Sequence, residues 1–547
     1  MTSFSSSFLL RGWRATVFAV CLAVGSVAAG HADAQPRAGK PAAGKKPHAR
    51  PEPGARRATA AHDGPRPPAS VERDLAAPPV AQSELRIERV TLDNGLRLVL
   101  APDPSMPGVA IAMAYRAGSG LEAVGQQGAA RAVASLMAAG ATGRITASQR
   151  AALLAEHHAT ESRTVDRDVA VFVTVLPAAA IELGIWLESS RVNDLMLDDE
   201  HLANVQARAS EDPVEQARRR AESIAYQGFW PYEHDDRCEV DEGRPSLEAV
   251  RDFHAAHYGL ASATLVLTGS FDPNQAAQLA RSIRSSHRED RAPPPSAQAA
   301  LPNQTNQRTA RIDVGATEPQ GLLEGWTVPT MGQPDHEALK VAATILHDRA
   351  RFGAPGHADR LGRLDSRTTV EARLDPRVGP AFWTIAARVA PGVDLDTERS
   401  VIDSAIDELG RLGPTPQEMR LAWGELQRAS ASEAASLQGR AVLLARSALL
   451  RGDAEAFLGD ATALVRVSRD DVRRAVARYL SPARRNVVEV RGPAPDRAPV
   501  AQPPAQPAQH AGPHHGGKTA NKKKPATPKK KPATPKKKPT PRGGKQP

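Results

Sequence analysis

Arg116–Thr142 reads RAGSGLEAVGQQGAARAVASLMAAGAT, a stretch rich in glycine and alanine. It follows residues 109–115, VAIAMAY, which have the pattern of a strand. A glycine-rich turn at residues 118–120 comes next, and an alanine-rich, helix-like segment begins after Gly128. The residues alone therefore predict a buried helix of small side chains packed on a strand.

The motifs in and before this stretch resemble those of the pitrilysin/insulinase (processing-peptidase-like) zinc metallopeptidases. In that family an N-G-L-R strand precedes a G-S…E…G-x-A-H segment, and the helix that follows carries H-x-x-E-H. This chain keeps the frame of the motif at Asn94-Gly95-Leu96-Arg97, Gly118-Ser119, Glu122, Gly128, Ala130 and Gly140. At the three positions of the zinc ligands and the general base, however, it has Arg131, Ala134 and Ser135.

These three replacements remove the chemistry that the resemblance implies. Two histidines one turn apart would hold a metal, whereas Arg131 is a permanent cation with no lone pair to donate. Ser135 is a poor zinc ligand, and Ala134 offers no base. Counting the family's spacing onward from Ser135 reaches Asp212, and Glu211 would replace it after a slip of one residue. One carboxylate does not hold zinc, so we expect no cofactor and no catalytic residue here.

Other candidate functional residues have less support in the sequence. The resemblance implies a substrate contact for Arg360, but the glycine and aromatic residues that accompany this arginine in the family are degraded here. His157 and His158 are adjacent and are interpreted as a surface loop. Cys238 follows acidic residues, which disfavour its thiolate, so we expect no nucleophile there.

The two ends of the chain differ in charge from its middle. Residues 1–34 have the basic start, apolar run and A-x-A site of a secretory signal, which predicts export to the periplasm or the extracellular space. The formal net charge is +10, yet twelve Lys or Arg residues lie at or after Lys518. Residues 1–73 carry a further +7, so about −9 falls on residues 74–517. Once the signal is removed, a single cysteine remains, which excludes an intrachain disulfide.

At 547 residues the chain is expected to hold more than one domain. The fold implied by the resemblance is α+β, with two homologous domains that each have a mostly antiparallel sheet covered by helices. In the first domain, residues 198–225 are predicted to form one long helix. The predicted segments are a signal peptide (1–34), a disordered basic linker (35–84), an N-terminal peptidase-like domain (85–290), a linker (291–309), a C-terminal peptidase-like domain (310–492) and a disordered Pro/Lys-rich tail (493–547).

Three functions remain open at this point. The favoured one is a non-catalytic subunit that forms a heterodimer with an active zinc-bearing homologue, or pairs with itself, and helps to enclose an unfolded peptide. The second is a pseudoenzyme that acts as a scaffold or binds anionic envelope polymers through its Lys-rich tail. The third is a protease with residual activity through relocated ligands.

Overall fold

The computed structural model describes residues 85–206, 212–237, 244–284, 300–315, 318–352 and 364–493. The predicted signal peptide, basic linker and tail lie outside these ranges, as do Glu211, Cys238 and Arg360. Among the described helices, none combines the length and the hydropathy that a bilayer span requires.

Six strands form the first sheet, in the spatial order β1-β2-β6-β3-β5-β4. Their bounds are β1 (Glu88–Thr91), β2 (Arg97–Pro102), β3 (Gly108–Tyr115), β4 (Thr160–Val165), β5 (Ala170–Pro177) and β6 (Ala263–Gly269). The strand predicted from residues 109–115 is the fully buried β3. All neighbours are antiparallel except β2 and β6, which run parallel. The β1–β2 turn uses Gly95 in the left-handed region, at φ 86°.

The helices of this half are α1 (Ala129–Ala139), α2 (Ala147–Glu156), α3 (Ile181–Asp194), α4 (Asp199–Gln206), α5 (Pro213–Ala225), α6 (Trp230–Glu233), α7 (Leu247–His257) and α8 (Pro273–Ala280). The predicted alanine-rich helix is α1, which begins after Gly128 and ends at Gly140; both glycines have positive φ. The prediction of one helix over residues 198–225 is wrong. Pro213 takes the first position of a separate helix, α5, because its missing N–H and fixed φ suit a helix start.

The second half repeats the plan with five strands in the order β7-β11-β8-β10-β9. They are β7 (Arg308–Asp313), β8 (Gln320–Val328), β9 (Thr369–Asp375), β10 (Ala381–Val389) and β11 (Asn486–Arg491). Its helices are α9 (His336–Phe352), α10 (Leu395–Leu412), α11 (Pro416–Ala435), α12 (Leu437–Arg451), α13 (Asp460–Val465) and α14 (Arg469–Tyr479). Helix α11 begins at a reciprocal capping box between Thr415 and Glu418, a motif that is readable in the sequence.

Each sheet is covered on one face by a helix from the other half of the chain. Helix α12 packs on β3, β5 and β6 of the first sheet, where Ala441 and Leu444 join its apolar core. Helix α5 packs on β7, β8 and β11 of the second sheet, through Ala217 and Ala221. The expected α+β fold with two helix-covered sheets is confirmed. The exchange of helices ties the two halves together and brings α5 beside both.

Candidate functional site

Helix α1 presents the three replaced positions of the motif. Ala134 is buried, and its carbonyl accepts a hydrogen bond from the guanidinium of Arg163 at 3.2 Å. Ser135 is partly buried, and the Arg131 side chain remains 40% exposed. An Arg131 Nη atom lies 3.2 Å from a carboxylate oxygen of Asp236. At the position of the family's first histidine, an ion pair is therefore formed.

Asp236 is buried and gathers three partners. Besides Arg131, its carboxylate accepts a hydrogen bond from the Ser119 hydroxyl at 2.9 Å and lies 3.7 Å from the Arg167 guanidinium. Burial alone would raise the pKa of Asp236, but the neighbouring Arg167 and Arg131 hold it well below its usual range. This carboxylate therefore stays ionised and serves as the counter-charge of two arginines.

A second buried carboxylate, that of Glu222 on α5, extends the arrangement. It accepts hydrogen bonds from Arg167 at 3.0 Å and from Arg377 at 2.8 Å. Although burial opposes its ionisation, Arg377 and Arg167 lower the pKa of Glu222. Arg131, Asp236, Arg167, Glu222 and Arg377 thus form one continuous set of ion pairs, which we call the arginine–carboxylate chain.

Arg377 reaches the first half from the connection between β9 and β10. Its guanidinium carbon lies 5.0–5.6 Å from the ring centroids of Tyr226, Tyr232 and Phe382, within the range of cation–π attraction. The Asp168 carboxylate fixes the same connection by accepting from the Val378 N–H at 2.9 Å and from the Tyr232 hydroxyl at 2.8 Å. The second half of the chain thereby supplies one end of the arginine–carboxylate chain.

Glu122, the acidic residue of the sequence motif, holds the start of α1. Its carboxylate accepts hydrogen bonds from the N–H groups of Gly128 and Ala130, at 3.0 and 2.8 Å. It also lies 2.9 Å from the His234 ring, on which Trp230 stacks. Burial raises the pKa of Glu122, and these hydrogen bonds oppose that rise. Glu122 therefore has a structural role, because it fixes the start of α1.

Asp212, the residue that the family's spacing reaches, forms a helix cap and an ion pair in this structure. Its carboxylate accepts from the Val214 N–H at 2.8 Å as the N-cap of α5. It is exposed and pairs with Arg388 of β10 at 2.6 Å. The carboxylate that pairs with Arg131 is Asp236, which the family's spacing did not single out. The sequence does offer a second pair of carboxylates as candidates, since Asp235-Asp236 lies just after the aromatic segment that forms α6.

The donor set of this region does not suit a zinc ion. Three guanidinium groups surround the two carboxylates of the arginine–carboxylate chain, so a dication would meet three fixed positive charges. Within the described ranges, no group of three or more His, Cys, Asp or Glu residues is placed to hold a metal. The arrangement can neutralise charge and fix the two halves, but it presents no base at position 134.

The arginine–carboxylate chain predicts a defined response to acid. Because the pKa of Asp236 is lower in the folded state than the ordinary aspartate value of about 3.8, the ion pairs stabilise the fold above that pH. This stabilisation is lost as the pH falls below about 4. We expect Asp236→Asn to melt at a lower temperature at pH 7, with a difference from the natural protein that shrinks toward pH 2. Thermal unfolding followed by circular dichroism gives the melting temperatures of the variant and the natural protein at each pH. A difference between them that is independent of pH would contradict the ionised state assigned to Asp236.

Residues 246–422 match the family model described as the peptidase M16 inactive domain. No curated protein matches the sequence.

Several solved structures have the same fold. A protease from Helicobacter pylori superposes with a TM-score of 0.67 at 18% identity, covering 74% of this chain and 99% of that chain. A peptidase M16 inactive domain from Pseudomonas fluorescens gives 0.61 at 16% identity, with 75% and 98% covered. A chain of complex III2 from Candida albicans gives 0.60 at 16% identity, with 74% and 96% covered. The resemblance seen in the sequence is thus confirmed: this is a chain with the M16 (pitrilysin/insulinase) peptidase fold, and its residues 246–422 match the inactive domain of that family.

Proposed function

We propose that this chain is a non-catalytic M16-type subunit that pairs with an active, zinc-bearing homologue and forms part of a peptide-binding chamber. The observation that carries the proposal is the Arg131–Asp236 ion pair at the first metal-ligand position. A guanidinium there repels a metal ion, and Ala134 cannot activate water. The fold is kept while the groups needed for hydrolysis are replaced, which favours a role in assembly and binding.

Pairing is supported by the architecture and by the similar proteins. The two helix-covered sheets would form one side of a chamber, and a closed chamber needs a second side. Among the similar structures are an M16 inactive domain and a chain of complex III2. A stable interface of this kind buries more than about 1,000 Å² in total.

The edge of the first sheet offers a place for an extended peptide. Strand β4 is the outermost strand beside β5, and it packs against α1, which carries Arg131. Edge strands bind extended segments through main-chain hydrogen bonds, with pockets for alternate side chains. A peptide added to β4 would run past the replaced metal-ligand positions.

Co-expression tests the pairing directly. The full chain is produced together with an H-x-x-E-H homologue from the same source, sized by light scattering, and assayed for cleavage of unfolded peptides. We expect a heterodimer whose proteolysis exceeds that of the homologue alone. The homologue with its catalytic glutamate changed to glutamine is the control for activity. A homologue that is fully active alone and never co-elutes with this chain would refute the proposal, and a homodimer would favour self-pairing.

The second candidate is a scaffold at the cell envelope, for which the Lys-rich tail is the specific observation. Three Lys triplets, at residues 522–524, 529–531 and 536–538, alternate with proline-containing spacers. Such a segment attracts anionic polymers, and the predicted signal would deliver it outside the cytoplasm. A chain that binds anionic envelope polymers but no homologue would have this function.

A further inference from the structure

A cavity of about 380 Å³ lies beside Arg167 and is rich in arginine. Five guanidinium groups line it, whereas Asp235 is the one carboxylate among its described lining residues. The five are Arg167, Arg219, Arg220, Arg237 and Arg311. Arg167, Arg237 and Arg311 already have carboxylate partners, but the described lining and these partners together still carry a net positive charge, so the cavity is suited to an anion.

The arginines converge from separate elements of the fold. Helix α5 contributes Arg219 and Arg220, the edge strand β7 contributes Arg311, and Arg237 follows α6. Arg237 pairs with Asp235, and Arg311 with Asp313, so both keep defined positions at the cavity. The positive charge of the cavity thus comes from residues of several elements that the tertiary structure brings together. It does not come from the solvent-facing side of one helix.

The cationic form of Arg219 is under electrostatic strain at this place. Partial burial, together with repulsion from Arg237, lowers the pKa of Arg219 to about 10. An anion held in the cavity would offset the repulsion between the two arginines by its opposite charge. Carboxylates suit this lining because a guanidinium donates two parallel hydrogen bonds to their two oxygens.

The cavity adjoins the replaced metal-ligand positions. It shares Arg167 and Arg219 with a second cavity, of about 250 Å³, whose lining includes Arg131 and Asp236. We propose that the larger cavity binds acidic side chains of an extended peptide, so that the chamber wall selects peptides rich in Asp and Glu. This inference rests on the proposed function and adds the class of peptide to it.

Binding of labelled peptides to the full chain tests the selection. Three fluorescein peptides of equal length carry Glu, Gln or Lys at alternate positions, and their Kd values are measured by fluorescence anisotropy. We expect the Glu peptide to bind at least about tenfold more tightly than the Gln peptide, a factor that corresponds to about 1.4 kcal/mol. The preference should weaken as salt is added, because the contacts are ionic.

Variants locate the site. The double change Arg219→Gln and Arg220→Gln should remove the preference for the Glu peptide, and Arg311→Gln alone should reduce it. The matched control is the double change Arg281→Gln and Arg284→Gln, at two exposed arginines that follow the last turn of α8. It should leave the preference for the Glu peptide intact. Because the Lys-rich tail also attracts acidic peptides, a benzophenone on the Glu peptide is cross-linked and mapped by mass spectrometry. We expect adducts on α5 and β7.

The outcomes distinguish a failure of this inference from a failure of the chamber proposal. Equal binding of all three peptides, or a preference for the Lys peptide, would overturn this inference and leave the chamber proposal intact. A Glu preference that survives the Arg219/Arg220 change, with adducts only on the tail, would also overturn it. If no peptide binds to the chain or to its heterodimer, the chamber proposal itself is wrong. Binding of inorganic phosphate that does not compete with the Glu peptide would assign the cavity to a free anion instead.

Discussion

Replacing Arg377 by methionine is expected to lower the free energy of unfolding by about 3–5 kcal/mol, the usual cost of removing one partner from a buried ion pair. Arg377 is 5% exposed, and its guanidinium donates to Glu222 at 2.8 Å. Methionine keeps much of the packing against Tyr226 and Tyr232 but leaves Glu222 with one guanidinium partner fewer. The result would be a buried carboxylate that is only partly compensated.

The exposed pair between Arg388 and Asp212 provides the matched control. Its two side chains are 43% and 46% exposed, so Arg388→Met should cost less than about 1 kcal/mol. Urea unfolding followed by circular dichroism gives both values. Adding Glu222→Gln to Arg377→Met should recover part of the loss, because the uncompensated charge is then removed. Equal losses in Arg377→Met and Arg388→Met would contradict the structural role of the arginine–carboxylate chain.

Gly118→Ala is expected to destabilise the fold by about 3 kcal/mol, at the upper end of the usual cost of overpacking. The backbone angles of Gly118, φ −77° and ψ 163°, suit any residue, so conformational strain is not the cause. A methyl group there would overlap the backbone of Arg167 and Asp168, which cannot yield as a flexible side chain would. The close approach places Ser119 and Arg167 beside Asp236.

Gly424→Ala is the control for this change. Gly424 lies within α11, and a Cβ there would meet no atom within 4 Å. Alanine favours the helix by about 1 kcal/mol relative to glycine, so this variant should be slightly more stable. Thermal unfolding of both variants gives the comparison. A Gly118→Ala protein as stable as the natural one would contradict the close packing of Gly118 on the backbone of Arg167 and Asp168.

The local elements of the fold could be predicted from the sequence where short-range signals are strong. The buried strand before the glycine turn, the alanine-rich helix between two glycines and the Thr415–Glu418 capping box all follow from periodicity and capping chemistry. The family resemblance then supplied the two-sheet plan. The single helix predicted over residues 198–225 is wrong because Asp212-Pro213 is itself a helix-start signal, with an N-cap followed by proline.

The ion-pair partners of the site residues were harder to predict from the sequence than the local elements of the fold. That Arg131 and Ala134 replace a metal ligand and the base was evident from the motif, but their partners were not. Arg377 lies far along the chain from Glu222, and only the packing of α5 on the second sheet brings them together. Asp236 was overlooked because a fixed spacing pointed to Asp212. Contacts of this kind depend on tertiary packing, which no local pattern encodes.

Restoring the motif residues separates the loss of ligands from the loss of the fold. Arg131→His alone should not bind zinc, since one imidazole and a carboxylate are fewer ligands than a site needs. The triple change Arg131→His, Ala134→Glu and Ser135→His would restore two histidines and the base on α1. Both variants are compared with the natural chain for metal content, after their folding has been verified by circular dichroism.

The most direct test of the central claim is the zinc content of the natural full-length chain, purified from zinc-supplemented culture and measured by inductively coupled plasma mass spectrometry. Because an arginine–carboxylate chain occupies the position of the family's metal ligands, we expect well below one zinc per chain and no cleavage of unfolded peptides. One zinc per chain that is lost on changing Asp236 or Asp212 to asparagine would contradict it.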